Sequence, residues 1–175
     1  KRVIPVCQTA WFARRLIFLV KAMTAKITLW IDADAIPNIA KQIIIKTAER
    51  TQTTAIFVAN RAIALPRLPV LQMTVVEGGF DKADDYIAAH CVAGDVVITS
   101  DIPLANDCIE KGAKVVTSRG FVYDKDNIKQ KLNMRDFMDT MRSTGVLEPS
   151  QQGGQAPYSD KDKQAFANIL NAWIR

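Results

Sequence analysis

At 175 residues, 49% of them apolar and with no uninterrupted apolar span long enough to cross a bilayer, the chain has room for one well-packed globular domain plus short appendages. Its net charge of +5 excludes less than it suggests: Lys1, Arg2, Arg14, Arg15 and Lys21 lie in an acid-free segment, leaving 18 Lys and Arg against 18 Asp and Glu from Met23 onward. That neutral remainder gives no support to a pervasively basic binding surface, and three cysteines without metal-ligand spacing beside a single histidine argue against structural zinc.

Residues 1–22 are cationic and apolar and stop just before Met23. They are expected to be an extension outside the fold, with Met23 the natural start and a single α/β domain over residues 23–175. Cys7, Cys91 and Cys108 read as reduced thiols, which points to a cytoplasmic protein. Cys91 and Cys108 are expected in helix cores, and His90 at a helix end.

The first element is the run Ile27–Asp34, apolar until Asp32 and Asp34. Its length and β-branched content predict a buried parallel strand, followed by a helix that opens at Pro37. Residues two apart on a strand share a side, so Asp32 and Asp34 can address one ligand. The plainer reading makes Asp34 a helix N-cap and Asp32 a partner for backbone N–H groups.

Apolar positions Ile36, Ile39, Ala40, Ile43, Ile44 and Thr47 recur at helical spacing. A second strand, 55–59, ends in Asn60 and Arg61, and such a strand–helix–strand succession predicts a right-handed crossover. The stretch 62–69 reads as a loop, 71–76 as a third, edge strand, and Glu77-Gly78-Gly79-Phe80 as a turn. The helix expected over 81–90 crowds acids into its first turns. Macrodipole complementarity explains Asp81 as a cap and explains Asp84 and Asp85 together less well.

A fourth strand, 96–99, repeats the design of the first: a buried run, then Ser100 and Asp101, then Pro103 opening a helix that Gly112 closes. A short fifth strand over 114–117 leads to a turn at Ser118-Arg119-Gly120. Helical spacing continues from Asn127 to about Arg142. The stretch 145–158 reads as a flexible loop, and Ser159 and Asp162 match a capping box before the last helix.

With strand order 3-2-1-4-5, the two acid-tipped strands are neighbours where the order reverses, the place where open α/β sheets bind ligands. Asp32, Asp34, Asp84, Asp85 and Asp101 then gather at one edge. Carboxylates without histidine or thiolate are the ligand set of a hard cation, Mg²⁺ or Mn²⁺. The chemistry this suits is metal-assisted phosphodiester hydrolysis. Thr99 and Ser100 can hydrogen-bond carboxylates or phosphate, and Asn60, Arg61, Lys82 and Arg119 are candidates to hold a nucleic-acid backbone. Taken singly, each of those cations reads as a solvated surface charge.

The segments WIDADAIPN, VAN, GGFDKADDYIA, GDVVITSDIPLA, KGAKVV, RG and MRDFMDTMRSTG, with the terminal SDKDKQAFANILNAW, resemble the YaiI/YqxD family of bacterial proteins from about Met23 onward. That family is similar to the PIN-like nuclease superfamily, whose strand-end acids bind divalent metal. The resemblance implies a three-layer α/β/α sandwich of PIN-like, Rossmann-like type and an RNA-directed, metal-dependent nuclease. It places Asp32, Asp84 and Asp101 at the superfamily's acidic positions, with Asp34 and Asp85 as additional family acids. TSDIPLA is similar to a TxDxxLA-like segment, with Ser100 at its variable position. Ile36 stands where family members usually carry Cys or another small residue, which removes any thiol role there.

Three rivals stay open. A haloacid-dehalogenase-like phosphatase would use Asp32 as nucleophile and Asp34 as general acid, although Ile36 departs from its motif and no lysine is well placed. A receiver-like phospho-acceptor domain lacks its lysine after the last strand. The third is a non-catalytic RNA-binding or scaffolding module.

Overall fold

The computed structural model describes residues 27–34, 36–77, 79, 81–144 and 156–174. The expected extension 1–22 and positions 145–155 of the expected loop lie outside the described residues. Thr28–Asp32 forms β1, and Leu29, Trp30 and Ile31 are all buried, which is why no apolar–polar alternation marks it. Around it runs a six-stranded sheet in the order β3-β2-β1-β4-β5-β6. The other strands are β2 (Thr54–Ala59), β3 (Leu71–Val75), β4 (Val96–Ile98), β5 (Lys114–Val116) and β6 (Val122–Tyr123). The first five are parallel, with Trp30 opposite Ile56 on one side and Val97 on the other. The antiparallel β6 adds to the expected order; with only two residues it carries no readable pattern.

Helices cover both faces. Alternation along β1 sends Leu29 and Ile31 one way, against Ala40, Ile44 and Ala48 of α1 (Asn38–Thr51) and Phe166 and Leu170 of the last helix, α5 (Asp160–Trp173). Trp30 goes the other way, with Val58 and Val97, against α2 (Lys82–His90), α3 (Ile102–Glu110) and the start of α4 (Ile128–Ser143). The result is a three-layer Rossmann-like α/β/α sandwich. In α4 only Ile128 is buried; Met134 and Phe137 of its middle are exposed. No helix among the described residues is long and apolar enough to cross a membrane.

Two buried features fix the framework. At the N-terminal edge of the sheet, Asp95 accepts hydrogen bonds from Thr28 N and Val92 N and from the Trp30 indole Nε1. One carboxylate thereby ties the starts of β1 and β4. Cys91 and Cys108 are buried with their Sγ atoms 3.4 Å apart, as expected of core thiols. His90 ends α2, its Nδ1 2.8 Å from the Tyr86 carbonyl, and stacks on the Tyr86 ring.

Candidate functional site

Parallel strands all end at one edge, so β1 and β4, adjacent in the sheet, deliver Asp32 and Asp101 to the same place. A pocket of about 490 Å³ opens there, lined by Asp32, Asp34, Asp81, Asp84 and Asp101 with Asn60, Ser100 and Gly79. Five carboxylates from three stretches of chain face it. Each of three is oriented by its own neighbours. The Thr99 hydroxyl donates to Asp32 Oδ2 at 2.9 Å, the Asn60 N–H donates to both oxygens of Asp34 at 3.0 and 3.2 Å, and the Leu104 N–H donates to Asp101 Oδ1 at 2.9 Å. Asp101 is thus the N-cap of α3. The expectation that Asp34 caps the first helix is corrected: Pro37 occupies that position without a side-chain cap, and the Asp34 carboxylate reaches across to the end of β2 instead.

Electrostatics register this crowding. Burial, then repulsion from Asp32, Asp101, Asp81 and Asp34, pushes the Asp84 carboxyl up to about 7. Burial also raises Asp32, and the Asp34 and Asp101 charges add to it, against the lowering hydrogen bonds from the Thr99 hydroxyl and the Asp34 backbone. An all-oxygen donor set of this charge fits a hard divalent ion in chemistry. In the arrangement observed, no three His, Cys, Asp or Glu side chains among the described residues stand close enough to hold one ion jointly. The bonds to Thr99, Asn60 and Leu104 draw the carboxylates toward their own neighbours, so joint ligation requires side-chain rotation.

Other expected residues divide. Asn60 and Ser100 line the pocket, and buried Thr99 supports Asp32 from beneath it. Asp85 faces an adjoining cleft, with Lys82 3.8 Å away and both side chains mostly exposed. Arg61 is exposed, following Asn60. Arg119 does not line the pocket. It donates to Asp162 at 2.8 Å and to the Ala156 and Pro157 carbonyls, and lies over the Tyr158 ring, fastening the start of α5.

Three features escaped the sequence. Asp81, expected to cap α2, makes no capping hydrogen bond; it sits at φ 60° and lines the pocket. Asn60 Oδ1 is buried without a hydrogen-bond partner among the described residues. Arg135 of α4 reaches Asp101, its Nη1 3.7 Å from Oδ2. The first had a usable signal in the Gly-Gly turn just before it. The other two depend on packing between distant elements.

Residues 30–175 match a family described as "Uncharacterized BCR, YaiI/YqxD family". A UPF0178 protein of Psychrobacter cryohalolentis is 66% identical over 147 residues, covering 84% of this chain and 99% of its own. A UPF0178 protein of Cellvibrio japonicus is 51% identical over 146 residues, or 83% of this chain and 95% of its own. One from Shewanella amazonensis is 46% identical over the same shares. No solved structure matches. A family match over nearly all of the described fold, with relatives aligned almost end to end, makes this chain a member of the YaiI/YqxD family.

Proposed function

We propose that the chain is a PIN-like, Mg²⁺- or Mn²⁺-dependent nuclease that hydrolyses phosphodiester bonds in single-stranded RNA. The observation that carries the reading is the shared pocket of Asp32, Asp34, Asp84 and Asp101, whose mutual repulsion helps to push Asp84 up to about 7. Structural carboxylates are ordinarily paired with cations or hydrogen-bond donors; a cluster that repels itself is characteristic of functional sites. A divalent ion held by Asp32, Asp84 and Asp101, with Asp34 and the Asn60 Oδ1 alongside, would activate water and neutralise the attacked phosphate.

The protein's own groups support that task. Before an ion enters, Thr99 holds Asp32 and the α3 N-terminus holds Asp101 through Oδ1, and both carboxylates would rotate from these positions to ligate it. Asn60 Oδ1 offers an unclaimed acceptor to water or to a ribose hydroxyl. Asp84 holds its proton to near neutral pH and can release it when positive charge enters the pocket. Exposed Arg61 and Lys82 adjoin the pocket residues Asn60 and Asp81 in sequence and supply charge for the RNA backbone.

The test is cleavage of single-stranded RNA with Mn²⁺. The parent should cleave, and Asp32→Asn with Asp101→Asn should abolish turnover while RNA binding persists. Cleavage by the double variant at the parent's rate would mean the site is misassigned. A beryllofluoride adduct on Asp32 without RNA cleavage would instead mark a phosphatase.

A further inference from the structure

Arg135 has the surroundings of a residue that lacks its intended anion. Its Nη1 lies 3.7 Å from Asp101 Oδ2 and its Nε lies 3.8 Å from Asp139 Oδ2, both ion-pair distances beyond ordinary hydrogen-bond range. Nη1 is buried yet has no hydrogen-bond partner among the described residues. Were Arg135 only the partner of Asp139 one turn along a solvated helix, this nitrogen would face water. That nitrogen lies instead against the acidic edge, while the side chain as a whole stays 40% exposed.

The guanidinium lines a cleft of about 160 Å³ between α2, α3 and α4, and that cleft shares Asp81, Asp84 and Asp101 with the acidic pocket. Among the described residues lining the two cavities it is the one cation. Asp139 is a weak competitor for it, because Arg142 already pairs with that carboxylate. Asp101 is a poor match too, since its other oxygen is committed to the α3 N-terminus. A phosphate group suits the planar fork of a guanidinium better, offering two oxygens at once.

We propose that Arg135 binds a non-bridging phosphate oxygen of the RNA strand at the edge of the acidic pocket. The assignment rests on the nuclease reading of that pocket. With its acids unneutralised, the pocket holds the guanidinium near Asp101. Once their charge is balanced that attraction fades, and the donors turn to the incoming phosphate. Arg135 is therefore a substrate-binding group that also offsets part of the pocket's negative charge beforehand.

The experiment uses the full chain and three proteins: the parent, Arg135→Gln and Arg135→Lys. Mn²⁺ binding is measured by titration calorimetry, and binding of a 2′-O-methyl oligouridylate with intact phosphates, checked for integrity after each titration, by anisotropy in Mn²⁺ across a salt series. Arg135→Gln should bind Mn²⁺ at least as tightly as the parent and lose oligonucleotide affinity by on the order of tenfold. Its log–log salt dependence should become shallower by about 0.7, the loss of one single-strand phosphate contact. Arg135→Lys should restore that slope but only part of the affinity. Unchanged oligonucleotide affinity and slope in Arg135→Gln, with Mn²⁺ still bound, would overturn the assignment and leave the nuclease reading standing. Loss of both ligands in Arg135→Gln would make the residue structural. Failure of the parent to bind Mn²⁺ would remove both readings.

Discussion

Two aspartates show how position decides what a carboxylate does. Asp84 faces other acids, and its carboxyl rises from an ordinary 3.8 to about 7. Between those values the unfolded chain has released this proton and the folded chain still holds it, so metal-free stability falls as pH climbs through that window. Asp84→Asn should remove the slope. Melting temperature in EDTA should then rise by about 3–6 °C at pH 8, corresponding to about 1–2 kcal/mol after allowing for solvent screening of a partly exposed group, with no change at pH 4. A lower melting temperature at pH 8 would contradict a repulsive cluster. Asp95 is the opposite case, bonded to three donors at the far edge of the sheet. Asp95→Ala leaves those donors unsatisfied and should cost about 3 kcal/mol in urea denaturation, with Mn²⁺ binding unchanged.

At the scale of elements, β1 and β4 were legible because a strand buried on both faces must be apolar throughout, and an acid at its end has few structural reasons to be there. That logic named Asp32, Asp34 and Asp101 as lining residues. It had no hold on Arg135, whose sequence neighbours Asp136 and Asp139 look like surface pairing along a helix. Nor could it separate Asp85, which pairs outward with Lys82, from Asp84, which turns inward, since adjacent helix residues carry the same local signal. Arg119 looked like a phosphate holder because its turn lies at the correct edge. Only the docking of α5 shows the Asp162 carboxylate that claims it.

The same docking makes the turn after β5 sensitive. Gly120 has φ +80°, and an added Cβ would lie 2.7 Å from both the Ala165 Cβ and the Phe166 backbone nitrogen. Gly120→Ala should therefore destabilise the protein by about 2–4 kcal/mol by forcing α5 away, visible as earlier loss of amide-exchange protection in α5 than in the sheet. Equal protection in parent and variant would show that the turn does not set the α5 position.

Across the whole molecule, the acidic pocket and the Asp95 tie occupy opposite edges of one sheet. Asp95 joins β1 and β4 where they begin, and Asp32 and Asp101 meet where they end. The strand order that places these two strands side by side is compatible with right-handed crossovers but not dictated by them, since other doubly wound orders satisfy the same rule. The +5 charge has no counterpart in this division: its excess lies in residues 1–22, outside the described residues. On the proposed reading, positive charge is brought to that edge by an ion and by Arg135.

An anomalous-difference map from a Mn²⁺-soaked crystal tests that most directly. The account predicts a peak in the pocket with Asp32 and Asp101 oxygens turned onto it at about 2.0–2.3 Å, the range for small hard divalent ions. A map without a peak there, with Asp32 still bonded to Thr99 and Asp101 still to Leu104, would contradict it.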